Sequence, residues 1–558
     1  MFKSFFKISM QRALKHPIYS VINITGLALG MACFILVMLW VKHETSYDRF
    51  YKNANRIYKV AFTNNTNEYY GYYQTGALAG YLKQNFPDIA EATCFNPTQF
   101  KISYNLQGYN CTGSYVDTGF VRMFTLPFVN GDTKTALHRP NSVVITETLS
   151  NKLFGDEDPI GQPVKINENS QYTVSGVIKD VPKNSSIQYD LLMPFSNTQE
   201  WMRTWDARWT MTYVMLQDGI SAEDVNQKIS GVMNRFQPTW KNVLFLFPLT
   251  DSHLHNLKGG GLIVYVWGFS LMAVIILVLA CVNFMNLSTS RFELRFKEVF
   301  IKKIAGSKRS EVSAQFLFEA GLLSVFSLMI ATVVALVLLP FVRNLLQTQL
   351  QFNFNAQTII ILLGIALFTG ILAGSYPALY LSNLTPGKIL KGSIQKGKSK
   401  KWNFRRILVI FQFAISVFFI SCTLMVSKQL NYLQSKNLGI QKENIISLST
   451  NGALGAKAQE LKNEILTNPN IESVTLSNDD MTSWNNSGPI SWDGSDQLEP
   501  IEIGYKWVDE DFLKTFDLKM KEGRFFSKDY TSDESNSFIL NQKAVSYLGL
   551  KKSNRHES

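Results

Sequence analysis

Five stretches of this sequence, 18–41, 262–290, 313–339, 358–381 and 407–427, are apolar, and Glu319 is the one charged residue in them. Each has the length of about 17–25 residues that crosses the hydrocarbon of a bilayer. In lipid a backbone must satisfy its own hydrogen bonds, so each stretch is confined to a helix. Two long polar segments accompany them, 46–257 between the first two and 436–558 after the last. With 18% charged and 46% hydrophobic residues, the chain fits neither a disordered nor a coiled-coil protein. The first span follows Lys3, Lys7, Arg12 and Lys15, a layout shared with signal peptides. Its apolar part is too long, no small-residue cleavage site follows, and Gly30-Met31-Ala32 before Cys33 is not a lipoprotein signal. The expectation is an uncleaved anchor.

Lysine and arginine set the sidedness. Residues 1–17 carry four such residues and no acid, 382–406 carries eight and no acid, and 291–311 carries seven against three glutamates. Together they exceed the net +12 of the whole chain, so the remainder is net acidic. The basic character belongs to one rim, facing lipid headgroups, and implies no nucleic-acid surface. This places the N-terminus, the 291–311 loop and the 382–406 linker on the cytoplasmic side, with 46–257 and 436–558 outside. Phe2, Phe5, Phe6, Met10, Ala13 and Leu14 fall near one helical face, so 1–17 is expected to be an interfacial helix, with a basic tail as the alternative.

The outer segments combine short alternating runs (57–60, 143–145, 172–178) with helical patterns around 75–86 and 222–235, an α+β reading. Cys94 and Cys111 share the first outer segment, where an oxidising compartment would permit a disulfide, although spacing alone does not bring them together. Cys33, Cys281 and Cys422 read as small apolar residues of spans. No Cys-x-x-Cys or histidine pair supports a metal site.

An internal repeat is present. Val116, Asp117, Phe120, Phe124, Leu126 and Gly131 recur at one spacing as Val508, Asp509, Phe512, Phe516, Leu518 and Gly523. Pro87 and Ile89 face Pro469 and Ile471, and Val143-Val144-Ile145-Thr146 faces Phe538-Ile539-Leu540-Asn541 after a short insertion. The unit is a span followed by an outer domain, duplicated. The Pro159-Ile160-Gly161 of the first copy has no match in the second. The chain is therefore expected to be a fragment or a frameshifted product lacking three further spans.

Gly392 to Ser399 fits the phosphate-loop pattern G-x-x-x-x-G-K-[ST] letter for letter. That chemistry needs a strand before the loop and a helix after it, which a basic linker between two spans does not provide. No acidic residue for magnesium occurs in 382–406. The match is accidental.

In the 291–311 loop, Val299, Ile301 and Ile304 alternate with charges in a helical order that stops at Gly306. Such an amphipathic turn could dock a partner or remain a solvated loop.

Here the residues resemble a family, the MacB/FtsX-type permease subunits of ABC transporters, in a Bacteroidetes-like form. The carriers are Lys297-Glu298-Val299, Ile301-Lys302-Lys303, Gly306-Ser307, Gln315-Phe316-Leu317 with Glu319-Ala320, and Tyr376-Pro377-Ala378. To these add Asn23 to Ala28, Glu44-Thr45-Ser46-Tyr47-Asp48 and Gly176 to Pro182. Phe300 departs from the family, which often has glycine there. The resemblance implies an α-helical membrane protein with large extracytoplasmic α+β domains and a MacB-like core domain. It also implies a bacterial inner-membrane location and no catalysis by this chain. ATP and magnesium would be bound by a separate cytoplasmic ATPase, which moves the outer domains through the spans. A second permease, as homo- or heterodimer, and possible membrane-fusion and outer-membrane channel proteins complete the implied partners.

On this reading Glu298, Lys302, Lys303, Gly306 and Arg309 form the ATPase-coupling loop. Glu319, a costly charge within a span, is expected to face protein or water. The G-x-x-x-G pairs Gly26/Gly30 and Gly370/Gly374 are expected to pack helices closely, within the chain or across a dimer. A scaffold or sensor that regulates an envelope protein without transport is the alternative. A membrane enzyme is disfavoured because no nucleophile motif such as G-x-S-x-G occurs.

Overall fold

The computed structural model describes residues 6, 11, 15, 17–64, 70–105, 107–167, 170–290, 299–382, 404–436, 439–440, 443–450, 453–479, 487–490, 501–534 and 537–549. The contacts divide it into two units, 1–417 and 418–558. The interfacial helix expected over 1–17, Glu298, and the phosphate-loop match at 392–399 lie wholly or mainly outside the described residues.

Five described helices are long and apolar enough to cross a membrane. They are Pro17–Thr45, Leu262–Ser290, Arg309–Leu346, Ala356–Ser382 and Phe404–Ser435. The first four pack through one core, in which Leu27, Met31 and Ile35 meet Leu277 and Cys281, Ala331 and Ala335, and Ile365 and Ala373. Small residues permit the approach. A Cβ on Gly30 would lie 2.6 Å from that of Ala280 on the second helix, and one on Gly374 would lie 2.8 Å from that of Ala320 on the third. Gly370 faces Gly321, whose Cα would be 2.9 Å from an added Cβ, whereas Gly26 would make an ordinary 3.4 Å contact. Three of the four glycines thus serve helix contacts within the chain.

Between the first two helices lies a domain with thirteen strands among the described residues. Six build an antiparallel sheet: β1 (Ile57–Asn64), β2 (Tyr70–Gly71), β3 (Tyr73–Thr75), β4 (Ile89–Phe95), β12 (Arg208–Leu216) and β13 (Asn242–Pro248). The first and last of these pair in register from Tyr58 with Pro248 to Asn64 with Asn242, which brings the ends of the first two spans together. The other seven are β5 (Thr98–Tyr104), β6 (Gln107–Val116), β7 (Phe128–Gly131), β8 (Ser142–Thr146), β9 (Pro163–Ile166), β10 (Ser170–Ile178) and β11 (Leu191–Pro194). In this mixed sheet β9 pairs with both β5 and β10, so the sheet closes on itself.

Three cores follow. One lies where the helices Ala77–Asn85 and Ala222–Ile229 cover the six-stranded sheet, a second lies inside the closed sheet, and a third joins the two sheets through Phe95, Phe120, Phe124 and Tyr213. This arrangement corrects the disulfide expectation. Cys94 sits in the first core and Cys111 in the second, and both thiols are free. Each points at a backbone carbonyl instead, Cys94 at Gly76 and Cys111 at Phe100. Burial pushes the Cys111 thiol up to about 12 and that of Cys94 well above its ordinary value.

The second unit repeats the first at the level of local bonds. Asp117 accepts the Cys94 N–H at 3.0 Å, and Asp509 accepts the Leu476 N–H at 2.9 Å. The next turn closes with Phe124 N–H on Phe120 O and with Phe516 N–H on Phe512 O. Left-handed residues follow at Thr125 and Asp517, then at Gly131 and Gly523. The ring pairs correspond as well, with centroids 4.6 Å apart for Phe120–Phe124 and 4.9 Å for Phe512–Phe516. What differs is cover: Val143, Val144 and Ile145 are fully buried, whereas Phe538 is 82% exposed.

Candidate functional site

The site is the end of the four-helix bundle opposite the β domain, where residues 299–304 form a helical turn. At about 100° per residue, Val299 lies on one face and Ile301 and Ile304 lie together on the other. Val299 is the inward residue, buried with Val312 and Phe316 of the third helix and Ala378 of the fourth. Ile301 and Ile304 remain 65% and 64% exposed. Gly306 ends the turn. Its φ is +91°, and the N–H groups of Gly306 and Ser307 close back onto Lys303 and Lys302 carbonyls at 3.2 and 3.0 Å.

The basic residues of the turn bond within the chain. Lys302 Nζ donates to Gln315 Oε1 at 2.7 Å. Lys303 Nζ donates to the carbonyl of Ser382 at 2.6 Å, and Arg309 Nε donates to the same oxygen at 3.3 Å. Ser382 is the last residue of the fourth helix, where carbonyls lack helical partners and the dipole favours cations. Burial, together with the neighbouring Arg309 guanidinium, pulls the Lys303 amine below its ordinary value.

The charged ends of Lys302, Lys303 and Arg309, which the sequence marks for an ATPase contact, also fix the turn to the bundle. The outward face of the turn also carries the exposed Ile301 and Ile304. Its signal was present in the sequence, because Ile301 and Ile304 share a helical face that Val299 does not.

Glu319 is 7% exposed and lines a small cavity between the helices with Tyr19, Ser288, Phe316, Gly374 and Pro377. The Tyr19 hydroxyl meets Ser288 Oγ at 2.8 Å beside it. The carboxyl thus faces protein, as the cost of a charge in lipid requires. The segments singled out in the sequence converge here: Gln315 holds Lys302, Phe316 and Ala378 receive Val299, and Ala320 meets Gly374. Among the described residues no group of histidine, cysteine or carboxylate side chains is arranged to hold a metal.

Comparison with known proteins matches both parts. A family model described as a MacB-like periplasmic core domain covers residues 20–232, and one described as FtsX-like permease C-terminal covers 270–386. The macrolide export ATP-binding/permease protein MacB of Campylobacter fetus is 25% identical over 251 residues, 44% of this chain and 37% of that protein. The pyoverdine export ATP-binding/permease protein PvdT of Pseudomonas syringae is 24% identical, over 54% of this chain and 46% of that protein. The MacB of Neisseria meningitidis is 23% identical over 68% of this chain and 60% of its own length. The match spans less than half of the first two relatives. Among solved structures, the periplasmic region of MacB from Actinobacillus actinomycetemcomitans matches 36% of this chain and 91% of its own, at 13% identity and a TM-score of 0.28.

Proposed function

We propose, from the premise that this chain is a permease of the MacB/FtsX type with an extracytoplasmic domain, that it works with a separate cytoplasmic ATPase in the inner membrane. The 299–309 turn is the docking element, and the N-terminus lies on the same cytoplasmic side. Ile301 and Ile304 are the anchors for the ATPase. Motion of the turn passes to the third helix through Val299 and Lys302 and to the fourth through Lys303 and Arg309. The shared core carries it to the first two helices and so to the β domain. ATP hydrolysis belongs to the partner, and this chain moves a domain rather than performing chemistry. Two permeases form the working complex. The relatives' names favour export as the use of that motion.

The observation that carries this reading is the exposed isoleucine pair on a turn whose other contacts are satisfied within the chain. An apolar pair left open beside polar groups that are bonded within the chain offers a partner a surface to cover. The test is purification of the tagged full chain from its native membrane beside an Ile301→Ser/Ile304→Ser variant. Wild type should retain an ATPase, and the variant should lose it while folding normally. Retention of a cell-wall hydrolase without an ATPase would replace this reading by the scaffold one.

A further inference from the structure

Where the first spanning helix meets the β domain, residues 43–51 are tied to two segments distant in sequence. Glu44 is 6% exposed, and its Oε2 lies 2.6 Å from His253 Nε2. The Tyr47 ring stacks on His253 with centroids 3.4 Å apart and 4° between planes, and His43 meets the same tyrosine edge-on. His253 stands between β13 and the second span. Its neighbour Leu254 accepts the N–H of Ile263 in the first turn of that span at 3.0 Å.

Asp48 makes the second tie. It is fully buried and holds a φ of +58°, a conformation that a residue with a side chain keeps only when its surroundings impose it. Its Oδ1 accepts the Ser186 N–H at 2.9 Å and the Ser185 hydroxyl at 3.0 Å, while its own N–H donates to Asn184 O. Asn184 Nδ2 returns a bond to Ser46 Oγ at 3.0 Å, and the Tyr51 hydroxyl meets Ser185 Oγ at 3.1 Å. Residues 184–186 connect β10 to β11, so this tie reaches the closed sheet.

We infer that this neck is a latch in which Asp48 is the pivot and the Glu44–His253 pair is the catch. Together they oblige the β domain to turn with the first two spans as one body. The inference rests on the transmission reading above and names the residues that complete it. Without the latch, each span would reach the domain through one stretch of backbone free to rotate. Glu44, Asp48 and His253 are positioning residues, acting through the segments they hold together.

The test uses the full chain in lipid nanodiscs and amide hydrogen exchange in wild type, His253→Ala and His253→Gln. A latch couples its two ties. Loss of the catch should therefore speed exchange of 46–51 and 184–187 by about tenfold, although the bond removed is to Glu44 and not to 184–187. Strand β1 should remain protected. Glutamine, which can still donate to Glu44, should restore most of the protection, and it serves as the folded comparison if the alanine variant does not accumulate. Acceleration confined to 249–255 would overturn the latch.

A second arm adds the ATPase and a non-hydrolysable ATP analogue and reads spin-label distances at both ends. In His253→Ala the turn at 299–309 should still move while the β domain stops following. A β domain that follows as in wild type would overturn the latch. A wild-type turn that does not move at all would overturn the docking reading, with the exchange result still deciding the latch.

Discussion

The two ends of the four-helix bundle are finished in opposite ways. At the neck, Glu44 and Asp48 are buried, and each is bonded to partners within the chain. At the other end, Val299 packs into the bundle and two isoleucines of the same turn stand in the open. The first is a junction completed within the chain, and the second is a junction left for another molecule. Polar groups can be sealed only where their partners are permanent, because a buried charge stripped of its partner is costly. An apolar pair tolerates both states, bare and covered.

Mutations should therefore separate the ends, affecting stability at one and association at the other. The largest effect is expected from His253→Ala, which strands the buried Glu44 carboxyl at the neck. The unfolding free energy in detergent should fall by about 3 kcal/mol, and a loss no larger than that of a surface change would break the comparison. Next, Ile304→Ser should weaken ATPase binding by about 2 kcal/mol. The same change should leave stability within about 0.5 kcal/mol of wild type. Calorimetric titration and thermal unfolding on the same preparations check both. Lys303→Met removes a cation from the end of the fourth helix and should cost about 1 kcal/mol, seen as faster exchange over 299–309 with the neck unchanged.

The smallest effect is a pH slope. Burial, opposed by bonds from Ser186 and Ser185, raises the Asp48 carboxyl above its ordinary value of 3.8. The folded state therefore binds the proton more readily than the unfolded one. The stabilisation is complete below that ordinary value and is lost as pH rises through the raised one. Exchange at the neck, corrected for intrinsic rates, should slow as pH falls from neutral into the carboxylate range. Asp48→Asn should flatten that slope, and an unchanged slope would assign it to other groups.

The spans were legible because a lipid-crossing helix announces itself as an uninterrupted apolar run. The repeat was legible too, since Asp117 and Asp509 make the same local bonds within short stretches of chain. Long-range cover was not. β8 is buried by pairing with β10 and β11, which follow it in sequence, and partners of that kind for Phe538 are not among the described residues. The disulfide expectation failed for a related reason: β4 and β6 belong to different sheets, which residue spacing does not reveal. At the candidate site the sequence marked the turn and its charges, but not where the charged ends are bonded. Charge composition shows that Lys303 and Arg309 are cationic, but not that the carbonyl of Ser382, more than 70 residues on, awaits them. The neck was the least legible, because Glu44 and His253 are 209 positions apart and each alone reads as an interfacial polar residue.

The central claim is that the exposed isoleucines receive a separate ATPase. It is tested most directly by placing a photo-crosslinking phenylalanine derivative at position 304 in the full chain, irradiating native membranes and identifying the adducts by mass spectrometry. The account expects a cytoplasmic ATPase joined at 304 and none at position 330, where Ile330 is an exposed residue of the third helix. Adducts at 304 with lipid alone, while the chain sits folded in the membrane, would contradict it.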